Sequence, residues 1–193
     1  MSLRVTFELR ESDLQHFRTI MREARDVAVE HSPEEILQSA HGLLASVRDV
    51  ELPDFVRGRL ERIKILIDMV EDKEWALPEE ETDRVMNALA YFSEPEDLIP
   101  DHVPGLGFLD DAIMVELVCR EFQFEIEAYS RFCKMRTAEE ERGPKGRMAD
   151  RDAREKWLAE YRKQLQGWMR ERRHRTRLGS RRSGSRRSPF SLF

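Results

Sequence analysis

The sequence predicts an all-α protein, an antiparallel bundle of about five to six helices. Three observations lead to this fold class. Apolar residues recur at the three- and four-residue spacing of amphipathic helices, serines and prolines mark helix starts, and the connections between periodic segments are short. One short N-terminal β-strand, a long C-terminal amphipathic helix and a disordered basic tail complete the predicted architecture.

The length of the chain bounds its domain organisation. With 193 residues, of which 40% are hydrophobic, it can form one sizeable core and has little room for a second. We predict an N-terminal strand or arm over residues 1–10, a helical domain over 11–137, an amphipathic helix over 148–177 and a disordered tail over 178–193.

Residues 3–9 carry the predicted strand. Val5, Phe7 and Leu9 alternate with charged or polar residues, which is the period of a half-buried strand. No second segment in the chain has this pattern. Because the backbone donors of a lone strand need a partner, it could pair with a second copy of the chain, lie against the helices as an arm or stay frayed. Of these we favour a homodimer formed through residues 3–9.

The first two helices have recognisable N-terminal signals. Ser12 is predicted to cap the first, with Gln15 at the capping-box position. Ser32 is predicted to cap the second, with Pro33 at its first position and Glu35 closing the box.

Three further helices follow from the apolar spacing. Pro53 opens a third helix that reaches Val70, and Pro78 opens a fourth. A fifth, central helix is predicted to run without interruption from about Asp110 to about Arg136. The last, amphipathic helix follows after a break in the pattern.

The two cysteines lie on the predicted fifth helix. Cys119 and Cys133 are fourteen residues apart, which corresponds to about 20 Å along a helix, too far for a disulfide. Both are predicted to be small buried hydrophobic residues.

Without a signal-peptide pattern or an apolar run long enough to span a bilayer, we expect a cytoplasmic protein with no membrane insertion.

A dense block of prolines, glycines and acids separates the fourth and fifth helices. Pro100 and Pro104 forbid a long helix there, while Gly105 and Gly107 permit positive φ. Asp110 is predicted to cap the next helix. The block is therefore interpreted as a rigid, partly buried connector that folds back between two helices.

This block also resembles a known family. The segment from Ala88 to Val115 is similar to the signature of the YkvA-like family, known as domain of unknown function 1232. The matching positions are Tyr91, Pro95, Asp97, Leu98, Ile99, Pro100, Asp101, Pro104, Gly107, Asp110 and Asp111. The resemblance implies no activity, because the family has none established. It covers only the signature, so the remainder of the chain is interpreted from its residues alone.

The acids of the block allow two interpretations. Asp97, Asp101, Asp110 and Asp111 could converge on a divalent cation, since hard cations prefer carboxylate oxygens. Alternatively, each could cap a helix or satisfy a loop amide. We favour capping, and the chain shows no recognised catalytic motif. We therefore expect no catalytic residue and no cofactor, and keep a metal-dependent activity as the alternative.

The charge is distributed unevenly along the chain. Residues 170–193 contain nine Arg and one Glu, a net charge of +8, and subtracting this from the chain's −5 leaves −13 on residues 1–169. The paired arginines of the tail, Arg181 with Arg182 and Arg186 with Arg187, could bind nucleic-acid phosphates or fold onto the acidic body.

Aromatic residues form a stripe on the last helix. Trp157, Tyr161 and Trp168 could dock on the core or contact a partner. Taken together, the sequence predicts a non-catalytic interaction or scaffold protein whose aromatic C-terminal helix and arginine tail bind an unknown protein partner. Nucleic-acid association through the tail is a further alternative.

Overall fold

The computed structural model describes residues 8, 10–28, 31–93, 108–142 and 150–182, and within these ranges the regular structure is entirely helical. The prediction of an all-α protein is therefore confirmed. The helices are α1 (Glu11–Ala28), α2 (Pro33–Ser46), α3 (Asp54–Leu60), α4 (Ile63–Glu71), α5 (Glu79–Leu89), the 3₁₀ turn Ala90–Ser93, α6 (Leu109–Glu121), α7 (Gln123–Glu141) and α8 (Arg151–Arg182).

The predicted N-terminal cap is confirmed for α2 and was wrong for α1. Ser32 accepts a hydrogen bond from the Glu35 N–H, and Glu35 accepts one from the Ser32 N–H, so both halves of the predicted capping box form. The first helix instead begins before Ser12, at Glu11. The carboxylate of Asp13, one residue after Ser12, accepts a hydrogen bond of 2.7 Å from the Arg10 N–H just before the helix.

Buried apolar side chains from α1 to α8 form one core. α3 packs against α6, α2 packs against both α4 and α5, and α7 packs against α4 and α8. The largest side chains that are fully buried include Trp75, Phe122 and Phe132. Phe122 and Phe132 belong to the segment that the sequence predicts as the central helix, and the Trp75 ring lies 5.2 Å from that of Phe132.

Two predicted continuous helices are each interrupted. The third helix divides into α3 and α4 around residues 61–62. The fifth divides at Phe122, whose backbone (φ −93°, ψ 20°) leaves the helical conformation between α6 and α7. Neither interruption contains proline or glycine, so the prediction of one unbroken helix over 110–136 was wrong for want of a local signal.

The last two helices run antiparallel to each other. Arg154 near the start of α8 bonds to Glu140 near the end of α7, whereas Arg173 bonds to Glu125 in the first turn of α7. These two contacts, at opposite ends of α7, fix the antiparallel arrangement of the two helices.

The two ends of the chain differ from their predictions in different ways. The predicted strand over residues 3–9 is not supported: it lies outside the described residues except for Glu8, which has no regular structure. The homodimer through this segment stays a prediction.

At the other end, α8 runs to Arg182, past the predicted boundary at residue 177, because extending an existing helix is easy once it is anchored. Residues 183–193 lie outside the described ranges.

Candidate functional site

The first half of α8 is attached to the turn between α4 and α5. Asp72 organises this turn by accepting hydrogen bonds from the N–H groups of Glu74 and Trp75, an arrangement typical of aspartate in turns. Gln166 of α8 donates to the Trp75 carbonyl at 3.1 Å and to the Ala76 carbonyl at 3.2 Å. Since Ala76 has a positive φ of 43°, these bonds help to hold a backbone conformation that is unusual for alanine.

Charged side chains reinforce this attachment. Arg136 of α7 bonds to Asp72 at 2.8 Å and to Glu74 at 2.9 Å, and Arg154 of α8 also bonds to Glu74. The hydrogen bond from Arg154, together with that from Arg136, outweighs burial and holds the pKa of Glu74 below its ordinary value. Arg162 donates to the Glu74 carbonyl at 3.1 Å. One turn therefore connects α4, α7 and α8.

Tyr129 completes the polar contacts beneath the turn. Its hydroxyl lies 3.2 Å from both the Asp68 carbonyl and an Asp72 carboxylate oxygen. Burial, followed by the neighbouring Cys133 and Asp72, raises the pKa of Tyr129 well above its ordinary value. The phenol therefore stays protonated and acts as a hydrogen-bond donor.

The second attachment of α8 is a buried group of five charged residues, here called the buried charge cluster: Glu81, Arg84, Glu121, Glu125 and Arg173. Arg84 bonds to Glu81 at 2.9 Å, to Glu125 at 3.1 Å and to Glu121 at 3.4 Å. Arg173 of α8 bonds to Glu81 and, at 3.1 Å, to Glu125. Four helices, α5 to α8, thus meet at one set of ion pairs.

The cluster is almost fully removed from solvent. Glu81 is 1% exposed and Glu125 is 0% exposed. Burial disfavours the ionised form of Glu81, but the hydrogen bonds and charges of Arg173 and Arg84 outweigh it and lower the pKa. Oε2 of Glu125 has no hydrogen-bond partner among the described residues. Glu125 therefore depends on its other oxygen, which both arginines contact.

The aromatic stripe of α8 is half-buried along α7. Trp157 and Tyr161 stack on each other with ring centroids 5.5 Å apart and planes 8° from parallel. Two arginines lie close to the Trp168 ring, with the Arg131 guanidinium of α7 at 4.6 Å and that of Arg172 at 5.5 Å from the ring centroid. All three rings pack against the core, so docking on the core accounts for a large part of their surface.

Immediately after the buried charge cluster, the side chains of α8 become exposed. Arg173 is the last side chain of α8 that bonds to another helix within the described part of the chain. The next three residues, His174, Arg175 and Thr176, are all exposed, and three successive positions cover more than half of a helix circumference. We call residues 174–182 the basic end of α8; its sequence contains Arg175, Arg177, Arg181 and Arg182 and no acid.

The predicted metal ligands are only partly described. Asp110 and Asp111 lie in the first turn of α6 and are buried, where negative charge is favourable to the helix dipole. The N-cap is Phe108, with φ 63°, so the prediction that Asp110 caps this helix was wrong. Asp97 and Asp101, like the family-motif positions 95–107, lie outside the described residues. Within the described ranges, no group of three or more His, Cys, Asp or Glu side chains is arranged to hold a metal ion.

Both cysteines are free. Cys119 is buried as predicted, whereas Cys133 is only half-buried, so the prediction that both are buried was wrong for Cys133. Burial raises the pKa of Cys119 to about 11. It also raises the pKa of Cys133, despite a hydrogen bond from Tyr129 that acts in the opposite direction.

In the folded protein, Cys119 is therefore expected to resist alkylation. At pH 7.5 a thiol with a pKa of about 11 is deprotonated in only about one molecule in 3,000, so Cys119 should label orders of magnitude more slowly than a free thiol. Mass spectrometry after iodoacetamide treatment, with and without denaturant, measures this. Rapid labelling of Cys119 in the native protein would contradict the buried position.

Only some of the predicted partner-binding residues have side chains that the structure describes. The structure brings Trp168 together with Arg131 and Arg172, while the side chains of Arg181 and Arg182 are not described and Arg186 and Arg187 lie outside the described residues. No sequence motif predicts the buried charge cluster. Its one signal was Glu125, an acid three residues after Phe122 and four before Tyr129, on an otherwise apolar helix face.

Comparison with known proteins confirms the family resemblance. Residues 85–117 match the family described as Protein of unknown function (DUF1232). These residues comprise the end of α5, the connector and the first two turns of α6. No curated protein and no solved structure matches the chain. Among the described residues, no helix combines the length and the apolar character needed to cross a bilayer.

Proposed function

We propose that this chain, with its DUF1232 segment, is a non-catalytic interaction protein whose helical body holds α8 in place and whose basic end of α8 binds the partner. The observation that supports this most directly is the position of Arg173. It is held by Glu81 and Glu125 inside the body, whereas the residues immediately after it are exposed and basic.

The charged groups within the body support the same function. At the turn between α4 and α5 and in the buried charge cluster, carboxylates bond to arginines of other helices. Each of the two groups includes at least one arginine of α8. Groups paired in this way stabilise the position of a helix. Such an arrangement is suited to presenting α8 to a partner in a fixed orientation.

The proposal shifts the predicted contact surface along α8. Trp157 and Tyr161 stack on each other and pack against the core. The basic end, in contrast, begins with three exposed residues, 174–176. We therefore assign the partner contact to Arg175, Arg177, Arg181 and Arg182, with Trp168 at its margin.

The test replaces four arginines of the basic end, at positions 175, 177, 181 and 182, by glutamine. Affinity capture from the native cell should then recover at least about tenfold less of the specific partner than the unaltered chain does, because each lost charge contact contributes to binding. Thermal unfolding should stay within a few degrees of the unaltered protein, because the basic end begins with exposed residues and exposed substitutions usually change stability little.

A matched control replaces four exposed basic residues elsewhere, Arg48, Lys64, Lys73 and Lys156, by glutamine. This variant has the same net charge and should retain the partner. Equal retention by both variants, or equal loss, would contradict an interaction centred on the basic end.

A further inference from the structure

Two arginines and two aromatic rings alternate across the groove between α7 and α8. Arg131 lies over the Trp168 ring, and the Arg172 guanidinium lies 5.5 Å from the Trp168 centroid and 5.4 Å from the Phe124 centroid. We call Phe124, Arg131, Trp168 and Arg172 the arginine–aromatic face. Its α7 residues are seven apart, so they lie on one side of the helix, about 10 Å from each other.

The arginines of this face are accessible. Arg131 is 50% exposed and pairs with Glu127 of its own helix. Arg172 is exposed and makes no ion pair with another described residue, so its charge is offset only by the two ring faces. Such cation–π contacts hold a guanidinium in place without neutralising it.

The face is continuous with the basic end of α8. Trp168, Arg172 and Arg175 occupy positions i, i+4 and i+7 and so follow one side of the helix. Every cationic side chain from residue 170 onward, apart from His174, is an arginine. Arginine matches the geometry of phosphate groups better than lysine does and stacks on flat aromatic systems.

We propose that the arginine–aromatic face and the basic end of α8 together bind a single strand of nucleic acid. Arg172 and Arg175 would contact phosphates, and bases would stack on the face beside Trp168 and Phe124. The combination favours a single strand over a duplex, because bases in a duplex are stacked inside and cannot reach aromatic side chains. It favours nucleic acid over an acidic protein because every nucleotide supplies a base that can stack together with a phosphate, whereas Asp and Glu side chains carry no ring.

This inference rests on the proposed function, since it names the partner class for the same end of α8. It adds Phe124, Arg131 and Trp168, which the proposed function does not require. Variants confined to those added residues can therefore test it separately.

The test measures fluorescence anisotropy of a labelled oligothymidylate with the full chain at physiological salt. The double variant Arg131→Gln with Arg172→Gln should bind about tenfold or more weakly, and Trp168→Leu about fivefold to tenfold more weakly, given the usual contribution of one stacked base. The charge-matched control Arg48→Gln with Lys64→Gln should change the affinity by less than about threefold, apart from long-range screening effects. Affinity of the full chain should fall steeply with added salt.

Several results would overturn the inference. They are an equal loss in the double variant and its control, unchanged binding by Trp168→Leu, a duplex bound as tightly as the single strand, or polyglutamate bound in preference to the oligonucleotide. If the full chain binds no oligothymidylate but the four-glutamine variant of the basic end still loses its cellular partner, this inference fails while the proposed function stands.

Discussion

Replacing Arg84 by alanine is expected to lower the free energy of unfolding by about 3–5 kcal/mol, the usual cost of removing one partner from a buried ion pair. Arg84 is only 14% exposed and bonds to three carboxylates. Without it, Glu81 and Glu125 would remain buried with Arg173 as their shared arginine. Urea denaturation followed by circular dichroism measures the change.

The matched control for this variant is Lys64→Ala. Lys64 pairs with Asp68 on the surface of α4 and is 66% exposed, so its loss should cost less than about 1 kcal/mol. A similar cost for the two variants would show that the buried charge cluster contributes no more than a surface pair. In that case, the attachment of α8 would depend mainly on the α4–α5 turn.

Replacing Trp75 by alanine is the second variant with a large expected effect, about 3–5 kcal/mol from the cavity and the lost burial. Trp75 is fully buried, with its ring centroid 5.2 Å from that of Phe132 and 5.7 Å from that of Tyr129. Its carbonyl also accepts the hydrogen bond from Gln166 of α8. The variant should therefore loosen α8 as well as the core.

Hydrogen exchange separates these two effects. In Trp75→Ala, amides of α8 around residues 162–169 should exchange faster relative to those of α2, because the turn that accepts the Gln166 hydrogen bonds loses its anchor. Phe55→Ala is the control: Phe55 is 43% exposed, and its loss should cost less than about 1 kcal/mol. Uniform acceleration across all helices would contradict a specific role for Trp75 in holding α8.

The fold could be predicted from the sequence where local patterns decide it. The apolar spacing is sufficient for the helices, and Ser32 with Glu35 identifies one helix start correctly because a capping box is made within four residues. The interruption at Phe122 could not be predicted in this way. Phe122 is fully buried, and the Arg84 guanidinium lies over it, 4.9 Å from the centroid of the Phe122 ring. Arg84 belongs to α5, which is far from Phe122 in the sequence.

The candidate site was less predictable for the same reason. The aromatic stripe of α8 follows from periodicity within one helix. The buried charge cluster, however, joins Glu81 to Arg173 across 92 positions of the chain. Arginines and glutamates are abundant here, and a single sequence does not indicate which of them are buried together.

The contact between Arg173 and the body has a consequence for synthesis of the chain. Glu81 and Glu125 are translated well before Arg173, so the nascent body pairs these two carboxylates with Arg84 alone, and without α8 packed beside them, until most of α8 has left the ribosome. A partly made chain is therefore at its most vulnerable to chaperones and proteases during this interval. Ribosome stalling between the codons for residues 142 and 173 would prolong that vulnerable state.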